Sequence, residues 1–280
     1  MLIAKRTQVF FRLELAEALR SKWLWFTAVT YSLVFGGFVW LGMRESTVLG
    51  FTGMSRVVLH VSNAMVLTVP LVALVATHQS LVRARATGHL ELFLSQPCAR
   101  HEWIRAAALA RVVVLVGPIV VLFAFALAYA IGEGAIGTLG PMVARSLVVV
   151  GSLAWAFIGL GFLVSSVSKS GERATVLALL AWLASAMLHD FALIGVLLRW
   201  KLAPQLVFGI AAANPAEAAR IAILSAIDPE LSVLGPVGFW IANRLGSGAS
   251  LAFGVLWPLV FGTLAYAWAE RRMSHADVVG

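Results

Sequence analysis

The sequence predicts an all-α, polytopic membrane protein with six transmembrane helices. Of its 280 residues, 61% are hydrophobic and only 12% are charged, which is far from the composition of a soluble globular domain. Several apolar stretches reach the roughly 20 residues that a helix needs to cross the hydrocarbon core of a bilayer. Trp25 and Trp40 lie near the two ends of the first stretch, as expected for aromatic belts at the two membrane interfaces.

Apolar runs and their charged borders define the predicted spans. The six spans are residues 22–42, 61–82, 112–131, 143–166, 174–198 and 249–268. Two connections, residues 83–111 and 200–248, are too long to be simple turns. We treat residues 1–280 as a single transmembrane domain.

The distribution of Lys and Arg predicts the orientation of the chain. An even number of spans places both termini on one side, and the positive-inside rule makes the more basic side cytoplasmic. One side carries Lys5, Arg6, Arg12, Arg20, Lys22, Arg83, Arg85, Arg100, Arg105, Arg111, Lys169, Arg173, Arg271 and Arg272. The other side carries half as many, namely Arg44, Arg56, Arg145, Arg199, Lys201, Arg220 and Arg244. We therefore expect a multi-pass inner-membrane protein with both termini in the cytoplasm.

Charge and cysteine content exclude several other classes of protein. The net charge of +8 comes from residues that lie between apolar spans and form no continuous basic stripe, so no nucleic-acid partner is expected. The single cysteine, Cys98, excludes an intrachain disulfide and any cluster of cysteine metal ligands.

The first 21 residues are compatible with an interfacial helix. Leu2, Val9, Leu13 and Ala16 share one helical face, and basic residues at its margin can snorkel to the headgroups. A plain basic flank that sets the topology accounts for residues 1–21 equally well. Charged residues interrupt the segment, so a cleaved signal peptide is not expected.

The outward connection, residues 200–248, contains three Xaa-Pro turn or boundary signals. They are Asn214-Pro215, Asp228-Pro229 and Gly235-Pro236. Its apolar runs, residues 216–227 and 231–241, are too short to span a bilayer. We expect an interfacial or re-entrant helical segment between the fifth and sixth spans.

The cytoplasmic connection, residues 83–111, predicts a short amphipathic helix. Leu90, Phe93 and Leu94 follow i, i+3, i+4 spacing and share one face. Gln96-Pro97 ends this helix, because a residue before proline disfavours the α region. An apolar face of this kind fits a groove on a partner protein.

These residues resemble a known family. Glu91-Leu92-Phe93-Leu94-Ser95-Gln96-Pro97 followed by Arg100 resembles the coupling-helix region of ABC exporter permeases of the ABCG-like class. The resemblance implies a homodimer of permeases with two cytoplasmic ATPase subunits. Arg85, Glu91 and Arg100 would make polar contacts with the ATPase, while Leu90, Phe93 and Leu94 would fill its groove. An ordinary interfacial loop is the alternative for residues 91–100.

The outward segment resembles that of one particular group of permeases within this class. Its stretches 214–220 and 231–238 are similar to those of permeases that serve the maturation of nitrous oxide reductase copper sites. This similarity implies a sulfur or copper species as cargo and a periplasmic accessory protein bound to residues 200–248. The residues expected to contact it are Asn214, Pro215, Glu217, Arg220, Gly235 and Pro236.

No enzymatic motif occurs in the chain. Lys169-Ser170 lacks the preceding glycines of a phosphate-binding loop, so ATP and Mg²⁺ are expected only on a partner ATPase. Neither a Gly-x-Ser-x-Gly elbow nor a His-Glu-x-x-His pair is present. We expect a permease subunit that binds no cofactor of its own.

Polar and thioether side chains inside spans are candidates for a translocation path. Ionisable groups are costly in a bilayer, which singles out His189 and Asp190. Together with Met187, and with His60 and Met65 in the second span, they offer imidazole and thioether groups that suit copper. The alternative interpretation is that the polar residues face the interior of the bundle and the methionines fill its core.

Three functions follow from these features. The first is an ABC permease that handles a sulfur or copper species for nitrous oxide reductase. The second is a general ABC exporter of lipid or drug, and the third is a membrane anchor or assembly factor without transport activity.

Overall fold

In the computed structural model the chain is a bundle of long helices, and no strand occurs in the described residues. The structure describes residues 2–280 except 21, 50–51, 89–98, 133, 135, 190, 193–194, 196–198, 201, 226–230, 232–234 and 276–280. The first helices are α1 (Leu2–Arg20), α2 (Lys22–Leu49), α3 (Thr52–Thr77) and α4 (Ser80–Ala86). They are followed by α5 (Arg100–Gly132), α6 (Ile136–Val167), α7 (Gly171–Leu183), α8 (Pro204–Ala213), α9 (Pro215–Leu224), α10 (Gly235–Arg244) and α11 (Gly246–His275).

The described part of each predicted span is largely helical, as expected for an all-α membrane protein. The second span crosses a break at residues 78 and 79, and the fifth extends beyond Leu188 into residues outside the description. Judged by length and apolarity, five described helices can cross a bilayer: His60–Ala86, Arg100–Gly132, Leu139–Val167, Gly171–Leu188 and Gly246–Ser274. Within α2, residues Trp25–Phe38 form a further, shorter apolar helix. The bent pair α8 and α9 also passes the same test when it is taken as one unit.

The third span begins earlier than the sequence analysis placed it. The sequence assigned residues 83–111 to a connection, whereas α5 is already helical from Arg100. Glu102 stabilises this start, because its Oε2 accepts a hydrogen bond from the backbone N–H of Ala99, 3.3 Å away. A glutamate at the third helical position that reaches back to the N-cap amide is half of a capping box. The connection therefore shortens to residues 87–99.

The core of the bundle lies around α6, the most buried of the described spans. It packs mainly against α11, α3 and α5. Gly159 of α6 and Gly262 of α11 let two backbones meet: a Cβ on Gly262 would lie 2.7 Å from Ala156 Cα. Small residues allow helices to approach closely where lipid provides no hydrophobic driving force for their association. The most exposed described span is α7, so its apolar side chains face outward.

The pair α8 and α9 is sharply bent. The chain turns by 116° between the two helices, and at their corner the backbone carbonyl of Ala213 accepts a hydrogen bond from Trp257 Nε1. Trp257 lies eleven residues into α11, about 16 Å from its first residue. From that depth α9 returns towards the start of α11, since Gly254 touches Ala218 and Ala222. These contacts favour a re-entrant pair over an additional span.

Helix α1 packs along the first turns of α5. Phe10 and Ala18 are buried on the side that faces the bundle, and Glu14 shares that side. Val9 and Leu13 are more than half exposed on a different face, which is the face that the sequence analysis assigned to the membrane interface. Leu2, which was placed on the same face, has no described side chain. The interfacial role of α1 stays a prediction.

Candidate coupling site

The polypeptide breaks its helix where the second span meets the cytoplasmic connection. After Thr77, residues 78 and 79 form a turn, and α4 starts a new helix at Ser80. His78 fills the break: its Nδ1 lies 3.0 Å from the Leu74 carbonyl oxygen and its Nε2 3.0 Å from Thr175 Oγ1 of α7. Gln79 Nε2 donates to the same hydroxyl at 3.2 Å. The turn is therefore anchored to α7.

Ser165 of α6 caps the new helix from outside its own segment. The first amides of a helix have no acceptor within it and need one elsewhere. Ser165 Oγ accepts hydrogen bonds from the backbone N–H groups of Leu81 and Val82, at 2.9 and 3.2 Å. Ser165 is completely buried, so α4 is held against α6 at a position that water does not reach.

Two arginines that border the coupling segment, residues 87–99, converge on the last helix. Arg85, at the end of α4, donates from Nη2 to the backbone carbonyl of Ser166 at 3.3 Å and to Met273 Sδ at 2.8 Å. Arg100, at the start of α5, donates from Nη1 to the backbone carbonyl of Met273 at 3.0 Å. Met273 is only 2% exposed. One residue of α11 thus contacts both borders of the segment.

Two further bonds gather other parts of the chain at this end of the bundle. Arg105 of α5 forms an ion pair with Glu270 of α11, with 3.0 Å between Nε and Oε1. Trp103 donates from Nε1 to Glu14 Oε1 of α1 at 2.8 Å. The N-terminal helix, the end of the last helix and both borders of the coupling segment therefore lie together. An even number of crossings would produce this arrangement, and the count of six spans stays a prediction.

Most residues predicted to dock on an ATPase lie outside the described residues. Leu90, Glu91, Phe93, Leu94, Gln96 and Pro97 belong to this group, and their role stays a prediction. Arg85 and Arg100 are described, and both bond within the chain. Arg83, two residues before Arg85, is exposed, and among the described residues its guanidinium bonds to Gln79 Oε1 in the turn before α4.

The structure does not bring the translocation candidates of the second span together. His60 is exposed and stacks on Phe38 of α2, with ring centroids 6.0 Å apart. Met65 is completely buried in the core. His60 therefore lies towards the surface of the bundle, whereas Met65 packs as a core side chain.

The candidates of the fifth span surround an irregular turn. The α-helix of α7 gives way to a π-helical turn at Ala184–Leu188, a feature that often accompanies functional sites. Met187 is 44% exposed, while His189 Nε2 is buried and has no hydrogen-bond partner in the described chain. Asp190 lies outside the described residues. Among described side chains, no group of three or more His, Cys, Asp or Glu residues has the geometry to hold a metal ion.

The predicted periplasmic contacts divide into buried and accessible residues. Asn214 and Pro215 are buried in the corner of the re-entrant pair. Glu217 and Arg220 form an ion pair 2.7 Å long, and neither side chain is fully buried. The burial of Gly235 and Pro236 lies outside the description. Of the described members of this set, Glu217 and Arg220 are the less buried.

Sequence reasoning missed Ser165, Met273, Glu270 and Thr175. Each forms contacts with residues between 84 and 188 positions away in the sequence. Serine, threonine and methionine are common in transmembrane helices, so no local pattern marks these residues. Of the four, only Glu270 could have been noticed in the sequence, because it is an acidic residue next to Arg271 and Arg272.

The fold and this site define a polytopic helical membrane protein in which the two borders of the coupling segment are held at one end of the bundle. The chain belongs to the ABC-2 family of transporter proteins, and the match covers residues 8–277.

A curated relative is similar along most of its length. The chain is 29% identical over 267 residues to the probable ABC transporter permease protein NosY of Pseudomonas aeruginosa. The alignment covers 86% of this chain and 93% of that protein. The similarity thus extends through the bundle, the coupling segment and the re-entrant pair.

Proposed function

We propose that this permease couples ATP hydrolysis on two separate cytoplasmic subunits to the transport of a sulfur or copper species. In this proposal it acts as a homodimer in the inner membrane. The cargo serves the maturation of the copper sites of nitrous oxide reductase, as the similarity to NosY suggests. ATP and Mg²⁺ bind the partner subunit, and this chain holds no cofactor.

The observation that supports coupling best is the convergence of Arg85 and Arg100 on Met273. A segment that is pushed by a partner must be attached to the spans that it moves, because a loosely tethered loop absorbs the displacement. Rigid-body motion of packed elements is the usual way in which such a displacement spreads. A membrane anchor without transport activity has no need for this attachment.

The re-entrant pair supports a role at the opposite face. Glu217 and Arg220 lie on α9, which returns towards the outer end of α11. We propose that their side chains, with the neighbouring outward segment, receive a periplasmic accessory protein. His189, whose buried Nε2 lacks a partner in the described residues, stays a translocation candidate in this proposal.

Coupling is tested by purification of the tagged chain from its native host in lipid nanodiscs. We expect an ATPase subunit with a phosphate-binding loop to co-purify, and ATP turnover to disappear when that subunit is removed. Phe93→Asp should abolish co-purification, because burying an unpaired carboxylate costs several kcal/mol and each 1.4 kcal/mol is about tenfold in affinity. Glu91→Ala is the control, since an exposed charge pair contributes about 0–1 kcal/mol.

Two results would contradict this function. One is ATP hydrolysis by a preparation that contains only this polypeptide. The other is a Phe93→Asp protein that inserts normally, retains the ATPase at wild-type stoichiometry and still supports transport in cells.

The cargo is tested in a deletion strain. We expect such a strain to produce copper-deficient nitrous oxide reductase, and expression of the wild-type chain to restore the copper. Normal copper content in the deletion strain would favour a general lipid or drug exporter, provided that an ATPase still co-purifies. Absence of an ATPase partner would favour the anchor.

A further inference from the structure

The two ends of the coupling segment join the bundle in different ways. Its carboxyl end leads directly into α5 at Arg100. Its amino end follows α4, which the turn at residues 78 and 79 separates from α3 and which Ser165 of α6 caps. A break in a helix transmits bending poorly, because the i to i−4 ladder of hydrogen bonds is interrupted there. A non-covalent route is therefore needed if both ends are to move as one body.

The last helix supplies this route. Arg85 and Arg100 approach Met273 from the two borders of the segment, through its thioether sulfur and its carbonyl oxygen. Arg105 adds an ion pair to Glu270, less than one turn away on α11. A guanidinium bonds more strongly to carbonyl and carboxylate oxygens than neutral groups bond to each other, whereas the thioether sulfur is a weak acceptor. The end of α11 is thus fastened at three places.

From Met273, α11 runs back through two close backbone contacts with its neighbours. At Gly262 its backbone touches α6, so that an added Cβ would lie 2.7 Å from Ala156 Cα and from the Trp155 carbonyl oxygen. At Gly254 its backbone touches α9, where an added Cβ would lie 2.5 Å from the Ala218 carbonyl oxygen. Close-packed contacts transmit displacement because interiors have low compressibility.

We propose that Arg85, Arg100 and Met273 are positioning residues that make α11 follow the coupling segment, and that α11 carries the motion to the re-entrant helix α9. This inference rests on the proposed function, in which an ATPase pushes residues 87–99. It assigns Arg85 and Arg100 an internal task in place of direct ATPase contact. In this inference the exposed Arg83 is the arginine of α4 that contacts the ATPase.

Hydrogen exchange of the full chain in nanodiscs, without ATPase, tests the attachment. Arg85→Gln and Arg100→Gln should speed amide exchange in α4 and in the first two turns of α5 about tenfold, the change expected when about 1.4 kcal/mol of charged hydrogen bonding is lost. Arg83→Gln is the matched control, since it removes the same charge from the same helix but only a bond to Gln79 of the adjoining turn. We expect its exchange to equal that of the wild type.

The assembled complex tests the transmission. In the wild type, ATP should change exchange both in residues 87–99 and in α9, residues 215–224. The double variant Arg85→Gln/Arg100→Gln should keep the ATPase and the change in residues 87–99, but lose at least nine tenths of the change in α9. A merely structural role of the two arginines predicts equal loss at both places.

Two outcomes overturn the inference. The first is equal exchange of α4 in Arg85→Gln and Arg83→Gln, and the second is an ATP response of α9 that survives in the double variant. Faster exchange throughout α6 would show general loosening, and then Arg85→Lys and Arg100→Lys, which keep the cations, replace the glutamine variants in the same comparison. If no ATPase binds the wild type, the proposed function fails, whereas the experiment without ATPase still decides the attachment.

Discussion

Asn214 joins the corner of the re-entrant pair to the π-helical turn of the fifth span. Its Nδ2 donates to the backbone carbonyl of Ser185 at 2.6 Å, and its Oδ1 accepts from the N–H of Ala216 at 3.0 Å as the N-cap of α9. One buried amide thus satisfies two backbone groups that regular helices do not pair.

Replacing Asn214 by Asp separates its two tasks. The carboxylate still caps α9, but the donor to Ser185 is lost and two oxygens then face each other. We expect the protein to lose about 1–3 kcal/mol of stability, the cost of leaving a buried polar group unpaired. Thermal unfolding in nanodiscs, followed by tryptophan fluorescence, measures the loss.

Asn243→Asp provides the comparison for this substitution, because Asn243 is exposed on α10. Its unfolding temperature should stay within error of the wild type. An Asn214→Asp protein as stable as Asn243→Asp would show that the bond to Ser185 contributes nothing.

Adding a methyl group at Gly159 should separate α6 from α11. A Cβ there would lie 2.9 Å from the carbonyl carbon and 3.0 Å from the Cα of Gly262, and nearer still to its oxygen. Since the opposing atoms belong to the backbone, they cannot rotate away, and Gly159→Ala should cost about 1–3 kcal/mol. Gly151→Ala, in the same helix with open space around its Cβ, should be neutral or stabilising by up to about 1 kcal/mol. Equal unfolding temperatures of the two variants would contradict the packing.

Ser165→Ala should loosen α4 without unfolding the bundle. The variant leaves the N–H groups of Leu81 and Val82 without their acceptor, and amide exchange at these two residues should rise about tenfold or more, as expected for a loss of 1–3 kcal/mol. The neighbouring Ser166→Ala is the control, because the Ser166 hydroxyl bonds only to Leu163 of its own helix. Unchanged exchange at residues 81 and 82 in Ser165→Ala would rule out the cap.

Reporter fusions test the orientation of the chain. Fusions after Arg100 and after Gly280 should both report the cytoplasm, and a fusion after Pro229 should report the periplasm. The expectation follows from the excess of basic residues on one side and from the contact between Arg100 and Met273, which places these two regions at one end of the bundle. A periplasmic signal at Arg100 would overturn the six-span arrangement.

The class of fold could be predicted from the sequence because the lipid bilayer restricts the backbone conformations that can cross it. Backbone groups in a bilayer must be paired within the segment, so apolar runs of sufficient length become helices. The run at 143–166 and the helix Ile136–Val167 illustrate this agreement. The start of α5 at Arg100 was missed, because residues 100–111 carry enough charge to read as a loop. Only the capping contact of Glu102 and the packing of α1 reveal why they are helical.

By itself, the sequence determined the membrane character, the approximate spans and the basic face, since each depends on local hydrophobicity and charge. Tertiary structure decided which residues act together at the coupling site. Arg85 is 188 residues from Met273 and Ser165 is 84 from Leu81, and no periodicity relates positions so far apart. Two polar groups on different helices can bond only if the rotation and the depth of the helices in the bundle bring them together. Close packing at residues such as Gly159 and Gly262 fixes that rotation and that depth.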